Sequence, residues 1–153
     1  MEIAVLALGC FWGPEIKFSK LNGVVKTEVG YCGGITTNTN YKEVCSGKTN
    51  HAEVVRVEFD NSTIAYKDIL NYFFEIHDPT TINQQGPNVG SQYRSEIFYL
   101  DQNQKKIATN TFNKFNEKYN GKIVTKISEI KNYSKAEDYH QKYLEKNLNY
   151  AAS

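Results

Sequence analysis

Residues 3–8, Ile-Ala-Val-Leu-Ala-Leu, form an unbroken apolar run that stops at Gly9-Cys10 and gives way at once to helix-starting residues. A run of this length reads as a buried strand, and it is far short of the roughly 18–20 apolar residues a membrane-spanning helix needs. Residues 12–20 then read as a helix, with Pro14 suited to the first turn and Glu15 complementing the helix dipole. The spacing predicts a strand over 24–30, ended by Gly33-Gly34 and a Thr/Asn-rich loop through Asn40. In residues 51–59, Ala52, Val54, Arg56 and Glu58 alternate with Glu53, Val55, Val57 and Phe59, the pattern of a strand, which Asp60-Asn61 ends. Residues 64–76 have helical spacing through Ile69, Leu70, Phe73, Phe74 and Ile76. Residues 77–93 read as a long loop with two Pro and two Gly, of a length that is usually functional or mobile. A strand over 95–100, a helix over 102–119 and a strand over 123–130 follow. A helix over 134–148 is expected last, with Ser134 as its cap and Glu137 three residues on. Strands and helices thus intermix with short connections, which points to the α+β class: a two-layer sandwich with a mixed β-sheet core of ferredoxin-like (αβ-plait) type, surrounded by helices and long loops. No repeat or low-complexity linker divides the 153 residues, so a single domain over 1–153 is expected.

Composition excludes several classes. With 40% apolar and 23% charged residues, the chain has enough apolar matter for a core without disulfide or metal staples. A formal net charge of +1 argues against a protein that coats nucleic acid. The lack of a spanning segment or a basic leader reads as a cytoplasmic protein with no membrane partner. Eleven tyrosines stand beside one Met and one Trp, several in Lys- and Asn-rich helical stretches, where amphipathic core-edge roles account for most. Three scattered histidines without ligand spacing point away from a metal, including the His77-Asp78-Pro79 stretch, which reads as a turn. The cysteines at 10, 32 and 45 are odd in number and have no C-x-x-C spacing, so free thiols are expected, one of them reactive.

Cys10 sits at a strand-to-helix turn, where unpaired N–H groups and the helix dipole converge and favour thiolate over thiol. Gly9 and Gly13 leave the backbone open to a ligand, and Phe11 and Trp12 place large aromatics beside the sulfur. A lone Cys between apolar residues is nonetheless more often a buried structural thiol.

The wider pattern is more specific. Gly9-Cys10-Phe11-Trp12-Gly13-Pro14-Glu15 is followed by Gly30-Tyr31-Cys32-Gly33-Gly34 and by Asn40-Tyr41-Lys42-Glu43-Val44-Cys45-Ser46-Gly47. Then come His51-Ala52-Glu53-Val54-Val55, Phe59-Asp60, His77-Asp78-Pro79-Thr80, and Gln85-Gly86 through Gly90-Ser91-Gln92-Tyr93-Arg94-Ser95. In order and spacing, across most of the chain, these blocks resemble the A-type peptide methionine sulfoxide reductases. The resemblance implies reduction of the S epimer of methionine sulfoxide, free or in proteins, through a cysteine sulfenic acid. Cys10 would attack the sulfoxide sulfur and Glu53 would supply the proton to its oxygen. Tyr41 and Tyr93 would hydrogen-bond that oxygen, while Phe11 and Trp12 would receive the S-methyl group. It implies no cofactor and no metal, a thiol reductant such as thioredoxin, glutaredoxin or glutathione, and a monomer. His51 is expected to hydrogen-bond structurally.

Two departures stand out. Many relatives carry an Asp five residues before the Q-Y-R-S tyrosine, where this chain has Asn88 as its substrate-site residue; the missing carboxylate is expected to alter the proton affinity of Glu53. Many relatives also carry resolving cysteines in a C-terminal tail, and residues 149–153 here include none. Direct reduction of Cys10 by an outside thiol is the preferred expectation. Cys32, beside Gly33-Gly34, is the internal alternative, ahead of Cys45 in a strand-like stretch. A peroxide-reducing thiol enzyme and an inert binding module for methionine peptides are the competing functions.

Overall fold

In the computed structural model, which describes residues 1–147, the chain runs β1 (Glu2–Leu8), α1 (Trp12–Ser19), β2 (Val24–Cys32), α2 (Tyr41–Cys45), β3 (Ala52–Phe59), α3 (Tyr66–Glu75), β4 (Gln84–Gln85), β5 (Asn88–Val89), β6 (Ser95–Tyr99), α4 (Gln102–Lys118), β7 (Lys126–Glu129), β8 (Ser134–Lys135) and α5 (Tyr143–Asn147). Six strands form one mixed sheet in the order β7-β6-β1-β3-β2-β8, and β4 and β5 form a separate hairpin. The apolar run β1 is central, antiparallel to β3 on one edge and to β6 on the other. Among the described residues, only β6 and β7 pair in parallel. Burial on both faces explains why β1 lacks the polar alternation of β3.

Alternation decides which face each side chain meets. On one face Leu6, Tyr31, Val55 and Ile97 pack under Phe18 of α1, Leu70 and Phe73 of α3, and Phe115 of α4. On the other, Val5, Ala7, Cys32, Val54 and Phe98 are closed off by Ile130 and Tyr133, which lie in coil. The sequence is therefore right that Glu53 shares a face with Val55 and Val57, and that face is the helix-covered one. At one end of the sheet, the last residues of β1 and β2 meet the first of β6 and β3, as the pairs Leu8–Ser95 and Cys32–Ala52 show. Cys10, Glu53 and Tyr93 all emerge at that end.

Three elements differ from expectation. The helix expected over 134–148 is broken up, and residue 148 lies outside the described residues. Ser134 pairs with Tyr31, the Ala136 amide donates to the Val29 carbonyl at 3.0 Å, a 3-10 turn covers Asp138–His140, and only Tyr143–Asn147 is helical. The open backbone edge of β2 competes for these residues more effectively than local helix propensity does. The strand expected over 123–130 shortens to β7, because the Ile123 and Val124 amides donate instead to Asn116 Oδ1 and the Pro79 carbonyl. The loop at 77–93 is partly ordered by the β4–β5 hairpin, and Thr80 donates through its amide to Asp78 Oδ1 at 3.0 Å, closing the expected turn.

Leu70 is fully buried between sheet and helices. Leu70→Ala should cost about 3 kcal/mol, read as a lower urea midpoint at unchanged slope.

Candidate active site

Gly9 takes φ +99°, and a β-carbon there would lie 2.8 Å from Gln85 Cβ, so a glycine is needed where β1 turns into α1 under the hairpin. The turn leaves Cys10 partly exposed at the start of α1, where the Trp12 amide donates to its sulfur. The thiolate expected from that setting is not the resting state. Burial pushes the thiol up to about 11, the Trp12 amide offsets only part of this, and the neighbouring Glu53 adds to it. Desolvation outweighs one amide and a two-turn helix.

Glu53 is the second residue of β3, opposite Tyr31, and is 1% exposed. Its Oε1 accepts from the Phe11 amide at 3.2 Å, while Oε2 is buried with no partner among the described residues. Burial raises the carboxyl to about 8 against the lowering effect of that amide. The acid is therefore protonated at neutral pH, poised beside the thiol with one oxygen tied and the other free.

Tyr41 and Tyr93 come from two different elements. Tyr41 opens α2, whose N-cap Asn40 accepts from the Glu43 amide at 2.9 Å. Tyr93 closes the 3-10 turn Ser91–Tyr93, held by Arg94. That buried guanidinium pairs with Glu96 at 2.6 Å and donates to the Ser91 carbonyl at 2.8 Å and the Asn50 carbonyl at 3.0 Å, joining the turn to the entry of β3. Both phenols are raised, first by burial; for Tyr41 the Cys45 thiol at its hydroxyl adds to this ahead of Glu53, and for Tyr93 Glu53 does. Phe11 is buried against Tyr31 and His140, with ring centroids 5.7 and 5.3 Å away, so it forms the floor of the site. Trp12 is partly exposed.

Asn88 is brought to the neighbourhood but not into it. It pairs with Gln85, whose side chain lies over Gly9, yet among the described residues its side chain makes no hydrogen bond and has no part in the Glu53 shift. Cys32 is fully buried on the opposite sheet face, donates to the Lys131 carbonyl at 3.3 Å, and is pushed up to about 11 by burial. Its case as the internal resolving thiol is correspondingly weak. Cys45 lies in α2, not a strand, exposed and against the Tyr41 hydroxyl. His51 is structural as expected, accepting from the Gly34 amide at Nδ1 and donating from Nε2 to the Thr36 carbonyl. His77 is equally occupied: Nδ1 donates to the Phe73 carbonyl, Nε2 accepts from Ser95, and burial lowers it to about 4. Among the described residues no three His, Cys, Asp or Glu form a metal-holding group.

Sequence reasoning missed the return of the chain past residue 136. His140 is buried against Phe11, Trp12 and Tyr41, and its Nδ1 accepts from Trp12 Nε1 at 3.0 Å. Tyr143 stacks on Trp12 at 3.8 Å and 9°. Glu137, read from sequence as a capping residue of its own helix, accepts instead from Tyr31 and from the Tyr41 amide. The run Glu137-Asp138-Tyr139-His140, dense in polar and aromatic groups, was the available signal.

Comparison with known proteins agrees with this constellation. The family model described as peptide methionine sulfoxide reductase matches residues 2–153. This chain belongs to that family. It is 66% identical over 146 residues to the MsrA of Pelagibacter ubique, covering 95% of this chain and 99% of that one. It is 49% identical over 148 residues to the MsrA of Methanothermobacter thermautotrophicus, covering 95% and 88%. Among solved structures, reduced Mxr1 from Saccharomyces cerevisiae superposes with a TM-score of 0.92 at 40% identity, over 96% of this chain and 86% of that one. The reductase is thus an A-type enzyme, a peptide-methionine (S)-S-oxide reductase that returns methionine sulfoxide to methionine, and the peroxidase and binding-module alternatives fall away.

Alkylation of Cys10 by iodoacetamide should climb steeply only as pH approaches about 11. Glu53→Gln, which removes a carboxylate next to the thiolate, should shift that rise to lower pH.

Proposed function

We propose that Cys10 is the nucleophile, Glu53 the acid and Tyr41 with Tyr93 the oxygen site, with Phe11, Trp12 and Asn88 contributing to substrate binding. The observation that carries the assignment is the free, buried Oε2 of a carboxyl raised to about 8, beside the thiol. A neutral acid kept out of water serves to donate a proton. Cys10 sulfur attacks the sulfoxide sulfur, Glu53 protonates the oxygen, and the resulting carboxylate takes the thiol's proton. That attack forms a transient sulfur–sulfur bond; this bond and the sulfur–oxygen bond to methionine both break as the hydroxyl passes to Cys10, so thiol and sulfoxide become sulfenic acid and thioether with atoms and protons conserved. The two phenols stabilise charge on the oxygen as that bond loosens. A neutral resting thiol also suits a site that becomes reactive only when substrate displaces water.

Two thiols of an outside reductant then return the sulfenic acid to thiol, releasing water and a disulfide. The burial of Cys32 on the far face supports direct external reduction. The yeast relative Mxr1 is known in complex with Trx2, at 28% identity and a TM-score of 0.67, which supports a thioredoxin-type partner. Three free cysteines suit a monomer in the reducing cytoplasm. The antiparallel core β6-β1-β3-β2 beneath α1 and α3 supports a ferredoxin-like plait, and the single family match supports one domain over 1–153.

Single-turnover formation of dimedone-trapped sulfenic acid on Cys10, followed by mass spectrometry with methionine S-sulfoxide, tests the assignment. Cys10→Ser should abolish it, and Glu53→Gln should slow it by about 100-fold or more. Glu53 holds its proton below about 8, so the wild-type rate should be level at lower pH and fall as pH rises through that value. The fall should be missing in Glu53→Gln.

A further inference from the structure

We infer that Glu137 is a positioning residue for the sulfoxide-oxygen site, acting through Tyr41. The inference rests on the oxygen-binding role proposed above for Tyr41. Three donors from three parts of the fold meet on this one carboxylate. Oε1 accepts from the Tyr31 hydroxyl at 2.8 Å; Oε2 accepts from the Tyr41 amide at 3.0 Å and the Tyr139 hydroxyl at 3.3 Å. Tyr31 is fully buried and sits directly across the sheet from Glu53. The Tyr41 amide is the first of α2, one of the N–H groups a helix leaves unpaired at its start.

At five residues, α2 is too short to hold its own geometry by helix propensity. It needs outside anchors at its first turn. Asn40 satisfies the Glu43 amide from within the loop, and Glu137 satisfies the Tyr41 amide from a segment 96 residues away. Glu137 also favours the helix start electrostatically. Its segment is in turn tied down: Gln141 bonds both the amide and carbonyl of Val29, and the Lys142 amide donates to Glu15 Oε1 at 2.6 Å. Glu137 is therefore the distant contact that, with the Asn40 cap and the His140 ring, sets the position of the Tyr41 phenol. A misplacement of about 1 Å in such a group can cost up to about 100-fold in rate.

Glu137→Leu is close in size but offers no acceptor, so the Tyr31 hydroxyl and the Tyr41 amide both lose their partner, whereas Glu137→Gln could keep both by donating its NH2 to the Tyr31 hydroxyl. In Glu137→Leu, sulfenic acid formation on Cys10 in a single turnover should slow about tenfold, with iodoacetamide alkylation of Cys10 close to wild type and a cooperative melting transition retained. In a Tyr41→Phe background the same change should cost less than about twofold, the non-additivity expected of residues acting in series. An equal tenfold loss in both backgrounds overturns the inference while leaving the Tyr41 assignment intact. A Tyr41→Phe enzyme at wild-type rate overturns both. If Glu137→Leu unfolds, Tyr31→Phe removes one donor more gently. It should show a smaller loss with the same dependence on Tyr41, and a loss independent of Tyr41 overturns the inference.

Discussion

The hydrogen bond from the Phe11 amide to Glu53 Oε1 is the contact around which the active end of the sheet is arranged. It spans 42 residues, joining the first turn of α1 to the start of β3, and so brings the residue next to Cys10 onto the acid. One amide on one oxygen orients the carboxyl and stabilises its anion only in part. Two or three amides would have pulled its proton affinity down and made it a permanent carboxylate. The chain supplies one, and burial decides the balance.

The same burial acts on both partners. It raises Glu53 and Cys10 together, so at rest the pair is a neutral acid beside a neutral thiol. An ionised thiolate there would meet oxidants and alkylators whether or not substrate was present. A neutral thiol is shielded from both. The surroundings are built to tolerate this: Arg94 braces the Tyr93 turn against β3, and Glu137 braces α2 against β2. Polar anchors at the rim thus compensate for a floor made of Phe11, Tyr31 and His140.

Elements whose own sequence carries their period were readable. The alternation from Ala52 to Phe59 placed Glu53 on the Val55 face, and the spacing of Ile69, Leu70, Phe73 and Phe74 gave α3 its buried side. The Cys10 turn was readable too, through Gly9 and Pro14. What failed were features decided by distant backbone. Residues 134–148 have helix-compatible local chemistry, but Val29 on the open edge of β2 draws Ala136 and Gln141 to itself, and Lys142 adopts φ +52°. Glu137 consequently serves another helix than the one its sequence position suggested. The protonation state of Cys10 was misjudged for a related reason: the helix start is local and visible, whereas the desolvation that overrides it comes from the assembled fold. Cys32 looked mobile beside two glycines, but strand alternation carries it to the opposite face from Cys10.

The chain has one tryptophan, two residues after Cys10. Trp12 stacks on Tyr143 and donates from its indole nitrogen to His140, so its environment is set by the returning segment as much as by α1. Any movement of that segment relative to Cys10 changes indole stacking and hydrogen bonding at once. The molecule therefore carries its own optical probe: intrinsic fluorescence comes with no background from a second indole and reads the packing of this segment beside Cys10.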